Sequence, residues 1–134
     1  MSFFKKSNQN FEMAELAEEK GYYDIAISRL YYSSYQRLCM FLSNNKNKKK
    51  KDNLKNTVMS VVIGTKKPGS HEKNLIKFSE YMNNKDIDVI TKFISNKVDR
   101  IKADYEENLM DKDVYYDVKK NAEFINKYID SNNK

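Results

Sequence analysis

The sequence predicts an all-α domain, an up-and-down helical bundle of about five helices with one long Lys/Asn-rich loop. Three observations lead there. Glycine and proline are scarce, 3 and 1 in 134 residues, which leaves little turn chemistry for sheets. Apolar residues recur at steps of three and four along most of the chain. Hydrophobic content of 40%, with ten Tyr and seven Phe, suffices for one core, and the length fits a single domain spanning 1–134.

The first helix is expected to begin at Ser7 or Asn8, either of which can cap free amides, and to run through Phe11, Ala14, Leu16 and Ala17 to Lys20, where Gly21 ends it. The strongest segment is Tyr22 to Leu42: Ile27, Leu30, Tyr31, Ser34, Leu38, Phe41 and Leu42 form a wide stripe that reads as a central helix. A polar loop follows, 43–56. Leu54, Val58, Val61, Val62 and Ile63 then fit either a short helix or an extended segment. Lys67-Pro68-Gly69-Ser70 reads as a turn, with Ser70 capping a helix from His71 to about Met82. Another helix starts near Asp86 and carries Ile87, Ile90, Ile94, Val98, Ile101, Tyr105 and Leu109. The last opens at Asp111 or Asp113 and repeats Val114, Val118, Ala122, Ile125 and Ile129 before a polar tail.

The formal net charge of +6 suggests nucleic acid, but its distribution is uneven. Residues 44–56 hold six lysines and one aspartate, a local charge of +5, so the rest of the chain carries only +1. That run reads as a solvated, mobile basic loop. It lacks interleaved aromatics, so it is no stacking platform for single strands and should add only non-specific affinity for RNA. No apolar run reaches the roughly 20 residues of a membrane span and the N-terminus lacks a signal-like stretch, so the expected location is cytoplasmic. One cysteine, Cys39, and one histidine, His71, exclude an intramolecular disulfide and an ordinary zinc site; Cys39 reads as a small buried residue. No metal and no cofactor are expected. Phosphate-loop, HExxH, EF-hand and G-x-S-x-G signatures are absent.

Only three of the 25 basic residues are arginine, which makes each informative, because guanidinium offers planar bidentate donors to phosphate or carboxylate. By its position Arg37 reads as an exposed helix residue. Arg29 fits a structural ion pair or a dimer contact at least as well as a ligand. Arg100 has Asp104 one turn on, an intrahelical pair, and Tyr105 falls on the apolar stripe. His71 reads as a surface histidine in the first turn of its helix, where the dipole disfavours its charge. Tyr22, Tyr23, Tyr31, Tyr32 and Tyr35 crowd one helix and its start, a composition suited to a half-buried interface or shallow cleft.

Together, Gly21-Tyr22-Tyr23-Asp24-Ile25-Ala26-Ile27-Ser28-Arg29-Leu30-Tyr31-Tyr32-Ser33-Ser34-Tyr35, then Ser70-His71-Glu72 leading to Phe78, then Arg100-Ile101-Lys102-Ala103-Asp104-Tyr105, resemble a small stand-alone prokaryotic HEPN domain over nearly the whole chain. The resemblance implies a homodimeric helical bundle. It further implies binding of RNA, with cleavage as a metal-independent endoribonuclease, in a toxin–antitoxin or phage-defence setting. The alternative is a catalytically inactive module that binds a nucleotide or a protein partner encoded nearby, such as a nucleotidyltransferase. The family's nuclease motif pairs an Arg with a His four to six residues on; carried over, the Arg is Arg100, and Tyr105 stands in the histidine's place. Five residues turn a helix through about 500°, setting Arg100 and Tyr105 roughly 140° apart, whereas Arg100 and Asp104 align. The implied catalytic residues are Arg100, Asp104 and Tyr105, with Arg29, Tyr32 and Lys97 as the RNA- or nucleotide-binding residues.

Overall fold

A computed structural model describes residues 2–51, 54–63 and 69–133, the side chains of 61–63 excepted. Among the described residues it is all-helical: α1 (Phe3–Glu19), α2 (Tyr23–Asn44), α3 (Lys55–Ile63), α4 (Ser70–Ser79), α5 (Ile87–Tyr105) and α6 (Lys112–Asn132), with a short 3-10 turn, Asn84–Asp86, before α5. The segment left open between helix and strand is thus helical, and the count is six. The side chains of Val61, Val62 and Ile63, and Lys67 and Pro68 of the expected turn, lie outside the described residues.

Local chemistry sets the ends. α1 starts earlier than its periodicity suggests, because the Ser2 hydroxyl accepts the Lys5 N–H and caps the first turn. Ser7, expected as a cap, is instead buried inside the helix. Gly21, at φ +74°, closes α1: its N–H reaches Glu18 O and that of Tyr22 reaches Ala17 O. Gly69 takes the N-cap position of α4, and Ser70 is its first residue. Asp86 serves a capping box with Asn83 around the 3-10 turn, and Asp111 caps α6 by accepting the Val114 N–H at 2.9 Å.

The central helix α2 packs against α1, α6, α5 and α4, while α3 leans on α4. Two cores result. The larger joins Tyr31, Leu38 and Phe41 to Leu75, Phe78, Ile90, Phe93, Ile125 and Ile129. A smaller one, built from Ala14, Ala17, Ala26, Ile27, Tyr115 and Ala122, lets α1, α2 and α6 approach closely. The described part of the basic loop is tied down at one end, where the Lys51 N–H donates to Glu80 O and Lys50 Nζ sits 2.9 Å from Glu80 Oε2. Cys39 is half-buried, and burial pushes its thiol up.

The largest departure from the apolar pattern is in α5. Its buried face is Val89, Ile90, Phe93, Asn96, Arg100 and Ala103, whereas Val98 (47%), Ile101 (42%), Tyr105 (76%) and, beyond the helix, Leu109 (87%) are exposed. The helix is turned by about one residue, roughly 100°, from the stripe that apolar residues define. Polar residues with partners cause the turn: Asn96 Nδ2 donates to Val118 O at 3.1 Å, and its Oδ1 accepts from Asn121 Nδ2. Leu16 is likewise exposed.

Arg37 also reverses its expectation. It is buried, with Nε and Nη2 on the two carboxylate oxygens of Asp130 at 2.9 and 3.0 Å, and Nη1 on Ser7 Oγ and Asn8 Oδ1 at 2.6 and 2.9 Å. It locks α1 and α6 onto α2. Since Asp130 is half-exposed and rehydrates on its own, Arg37→Met is expected to cost about 2 kcal/mol, the loss of charge-assisted hydrogen bonds. Urea unfolding measures this; a cost near zero contradicts the role.

Candidate functional site: a buried arginine among tyrosines

The turned face of α5 carries Arg100 into the bundle, 9% exposed, beneath two successive tyrosines of α2. Its Cζ lies 5.2 Å from the Tyr31 ring centre and 5.6 Å from that of Tyr32, within cation–π range. Nη1 donates to Asp104 Oδ2 at 3.2 Å, the intrahelical pair expected from spacing. Nε is buried and finds no acceptor among the described residues. Burial works against the charge, but the Asp104 hydrogen bond and the tyrosine hydroxyls outweigh it, raising the pKa of Arg100.

Arg29 approaches the same Tyr32 ring, with Cζ 5.3 Å from its centre, and Nη1 donates to Asn10 Oδ1 at 3.1 Å. Arg29 and Asp104 line one shallow depression of about 270 Å³ with Asp24 and Ser28. The structure therefore brings Arg29, Tyr32, Arg100 and Asp104 together as one contact cluster, of which Arg29 and Asp104 line the depression. Two guanidinium groups share the Tyr32 ring there, and Asp104 bonds one of them.

Lys97 lies one turn before Arg100 and turns toward α4, forming a half-buried ion pair with Glu72. Tyr105 is different. It ends a regular helix, 76% exposed, rather than packing in the core.

His71, expected at the surface, is half-buried in an aromatic box. Its ring stacks on Tyr35 with centres 3.9 Å apart and meets the Tyr32 ring edge-on at 6.0 Å. Its Nδ1 lies 2.9 Å from the Tyr31 hydroxyl, and Asn74 Nδ2 donates to the Tyr35 hydroxyl at 2.8 Å. Tyr31 itself is 2% exposed, so it is core rather than interface, and burial pushes its hydroxyl far up. Residues four apart share a helix face, so the Tyr31–Tyr35 spacing was a usable signal for a ring stack. Nothing in the local sequence assigned the histidine as the third ring.

Burial first, then the positive charges of Arg100 and Lys97, hold the imidazole below its usual value, with Glu72 opposing. His71 is therefore neutral at pH 7 and suited to accept a proton. Among the described residues no group of three or more His, Cys, Asp or Glu could hold a metal, and no helix is long and apolar enough to cross a membrane. No family model, curated protein or solved structure matches this chain.

A pKa lower in the folded than in the unfolded chain means that the unfolded state binds more protons. The stability contributed by neutral His71 is thus present above about pH 6.5 and lost as pH falls through the lowered value. Urea midpoints measured from pH 7.5 to 5 should fall more steeply for the wild type than for His71→Gln. Parallel pH profiles would contradict the assignment.

Proposed function

We propose that this chain is a HEPN-type module that binds RNA, as a homodimer, in a toxin–antitoxin or phage-defence setting. One observation carries the reading: the contrast between its two buried arginines. Arg37 spends all three guanidinium nitrogens on the fold, whereas Arg100 has one hydrogen bond and a buried Nε without an acceptor. A fold seldom keeps such a donor unsatisfied without other use for it. Phosphate oxygens supply the missing acceptors, and Tyr32, with a second guanidinium on its ring, offers a stacking surface for an unpaired base. The exposed Val98, Ile101 and Tyr105, on the same helix as Arg100, suit a contact with a second copy of the chain.

Cleavage is a second reading, favoured by neutral His71 within the same tyrosine cluster. A phenol, the group at Tyr105, is a poor proton acceptor; the imidazole of His71 is a better one. In the tautomer whose Nδ1–H donates to the Tyr31 hydroxyl, the free Nε2 lone pair takes the proton of a ribose 2′-hydroxyl. The 2′-oxygen attacks the adjacent phosphorus, the bond to the 5′-oxygen breaks, and that oxygen takes a proton from water, leaving a 2′,3′-cyclic phosphate and a 5′-hydroxyl. Arg100 stabilises the charge on the phosphoryl oxygens.

Arg100→Ala, if still helical and cooperatively folded by circular dichroism, is expected to weaken binding of a labelled single-stranded RNA by about 10- to 100-fold, the worth of a charge-assisted hydrogen bond. Fluorescence anisotropy at fixed salt measures this, and unchanged affinity contradicts the proposal. Chelator-resistant cyclic-phosphate products that vanish in Arg100→Ala and in His71→Ala would support the second reading; RNA left intact at protein excess would leave binding alone.

A further inference from the structure

A cavity of about 180 Å³ opens between α2, α4 and α5, with Tyr31 in its wall. Whole drug-sized ligands occupy roughly 300–1,000 Å³, so this space takes a single ring system rather than an entire nucleotide. Its walls are apolar or aromatic, among them Tyr35, Leu75, Phe93, Ile94 and Ile101. The polar lining comes from His71, Glu72 and Lys97 beside the Tyr31 hydroxyl.

Glu72 and Lys97 set an ionised acceptor beside an ionised donor. Burial opposes the Glu72 charge, but the Lys97 hydrogen bond and the residue's own backbone N–H outweigh it and hold the carboxyl below its usual range. Each side chain keeps about a fifth to a quarter of its surface, 21% for Lys97 and 24% for Glu72, so the pair is open to a ligand. A purely apolar occupant would strip the remaining water from both charges and return no hydrogen bond. A polar ring with complementary edges avoids that loss.

We propose that this cavity is a guanine-base pocket serving the RNA held at Arg100, an inference that rests on the RNA-binding reading above. Guanine alone among the RNA bases places two adjacent N–H donors, on N1 and N2, next to a carbonyl oxygen. The N–H groups match the two oxygens of Glu72, and O6 matches the Lys97 ammonium. The aromatic walls supply stacking for an unpaired base. Tyr31 joins the two halves: it lines the cavity, its hydroxyl meets His71, and its ring lies against the Arg100 guanidinium.

The test compares a short all-uridine RNA with versions carrying one guanosine or one adenosine at the centre, bound by anisotropy to the full chain. The guanosine version should bind about tenfold more tightly than the adenosine version, the low end of a bidentate base contact. Glu72→Gln and the cavity-filling Ile94→Phe should each bring that ratio close to one. Equal affinity of the wild type for both, with the all-uridine RNA still bound, overturns the guanine pocket and leaves the RNA-binding reading standing. Retention of the full guanosine preference in both folded variants also overturns it. Failure of all three RNAs to bind overturns the pocket and the RNA-binding reading together.

Discussion

A guanidinium that cannot lose its charge sits inside this bundle, and much of the surrounding structure is a response to it. Arg100 projects from the buried face of α5 because Asn96, one turn earlier, is anchored to Val118 and Asn121 of α6. That anchoring fixes the rotation of the helix. The charge must then be met where it lands, and α2 meets it with the faces of Tyr31 and Tyr32 while α5 itself supplies Asp104. The ring faces offer quadrupole attraction and little hydration, so the group is tolerated without being fully bonded.

The consequences spread outward from Tyr31. Its hydroxyl, too deep to ionise at ordinary pH, meets His71 on α4 and so connects the helix carrying Glu72 to the one carrying Lys97 and Arg100. The same cluster holds His71 neutral. Arg37 provides the internal comparison, since in a chain with so few arginines two are buried and only one is saturated by the fold. Saturation identifies Arg37 as a fastener between α1, α2 and α6. At Arg100 the fold leaves Nε without an acceptor among the described residues.

Helices were readable wherever burial follows apolarity. The stripe of α2 from Ile27 to Phe41 and that of α6 through Val118, Ala122, Ile125 and Ile129 are both buried, because those faces meet several neighbours and hold few polar residues. The pattern misled where buried positions are polar but partnered. In α5 it put Val98, Ile101 and Tyr105 inside and gave no warning that Asn96 and Arg100 belong there. Arg37 was misread for the same reason: its partners Ser7, Asn8 and Asp130 are distant in sequence. Of the cluster, the Arg100–Asp104 pair follows from a one-turn spacing, and Arg29 and Tyr32 fall beside it. His71 could not be placed from local sequence, since its box is assembled from rings on two helices.

The central claim is that Arg100, the Tyr31–Tyr35 cluster and His71 form one anion- and base-binding site rather than a packing accident. Because His71 is the only histidine, its imidazole gives a single, unambiguous NMR signal in the intact protein. The account predicts that this signal titrates below the usual histidine range in the free protein and moves markedly when a single-stranded RNA is added. A signal that titrates normally, or that stays fixed at saturating RNA while the lysines of the basic loop respond, would contradict it.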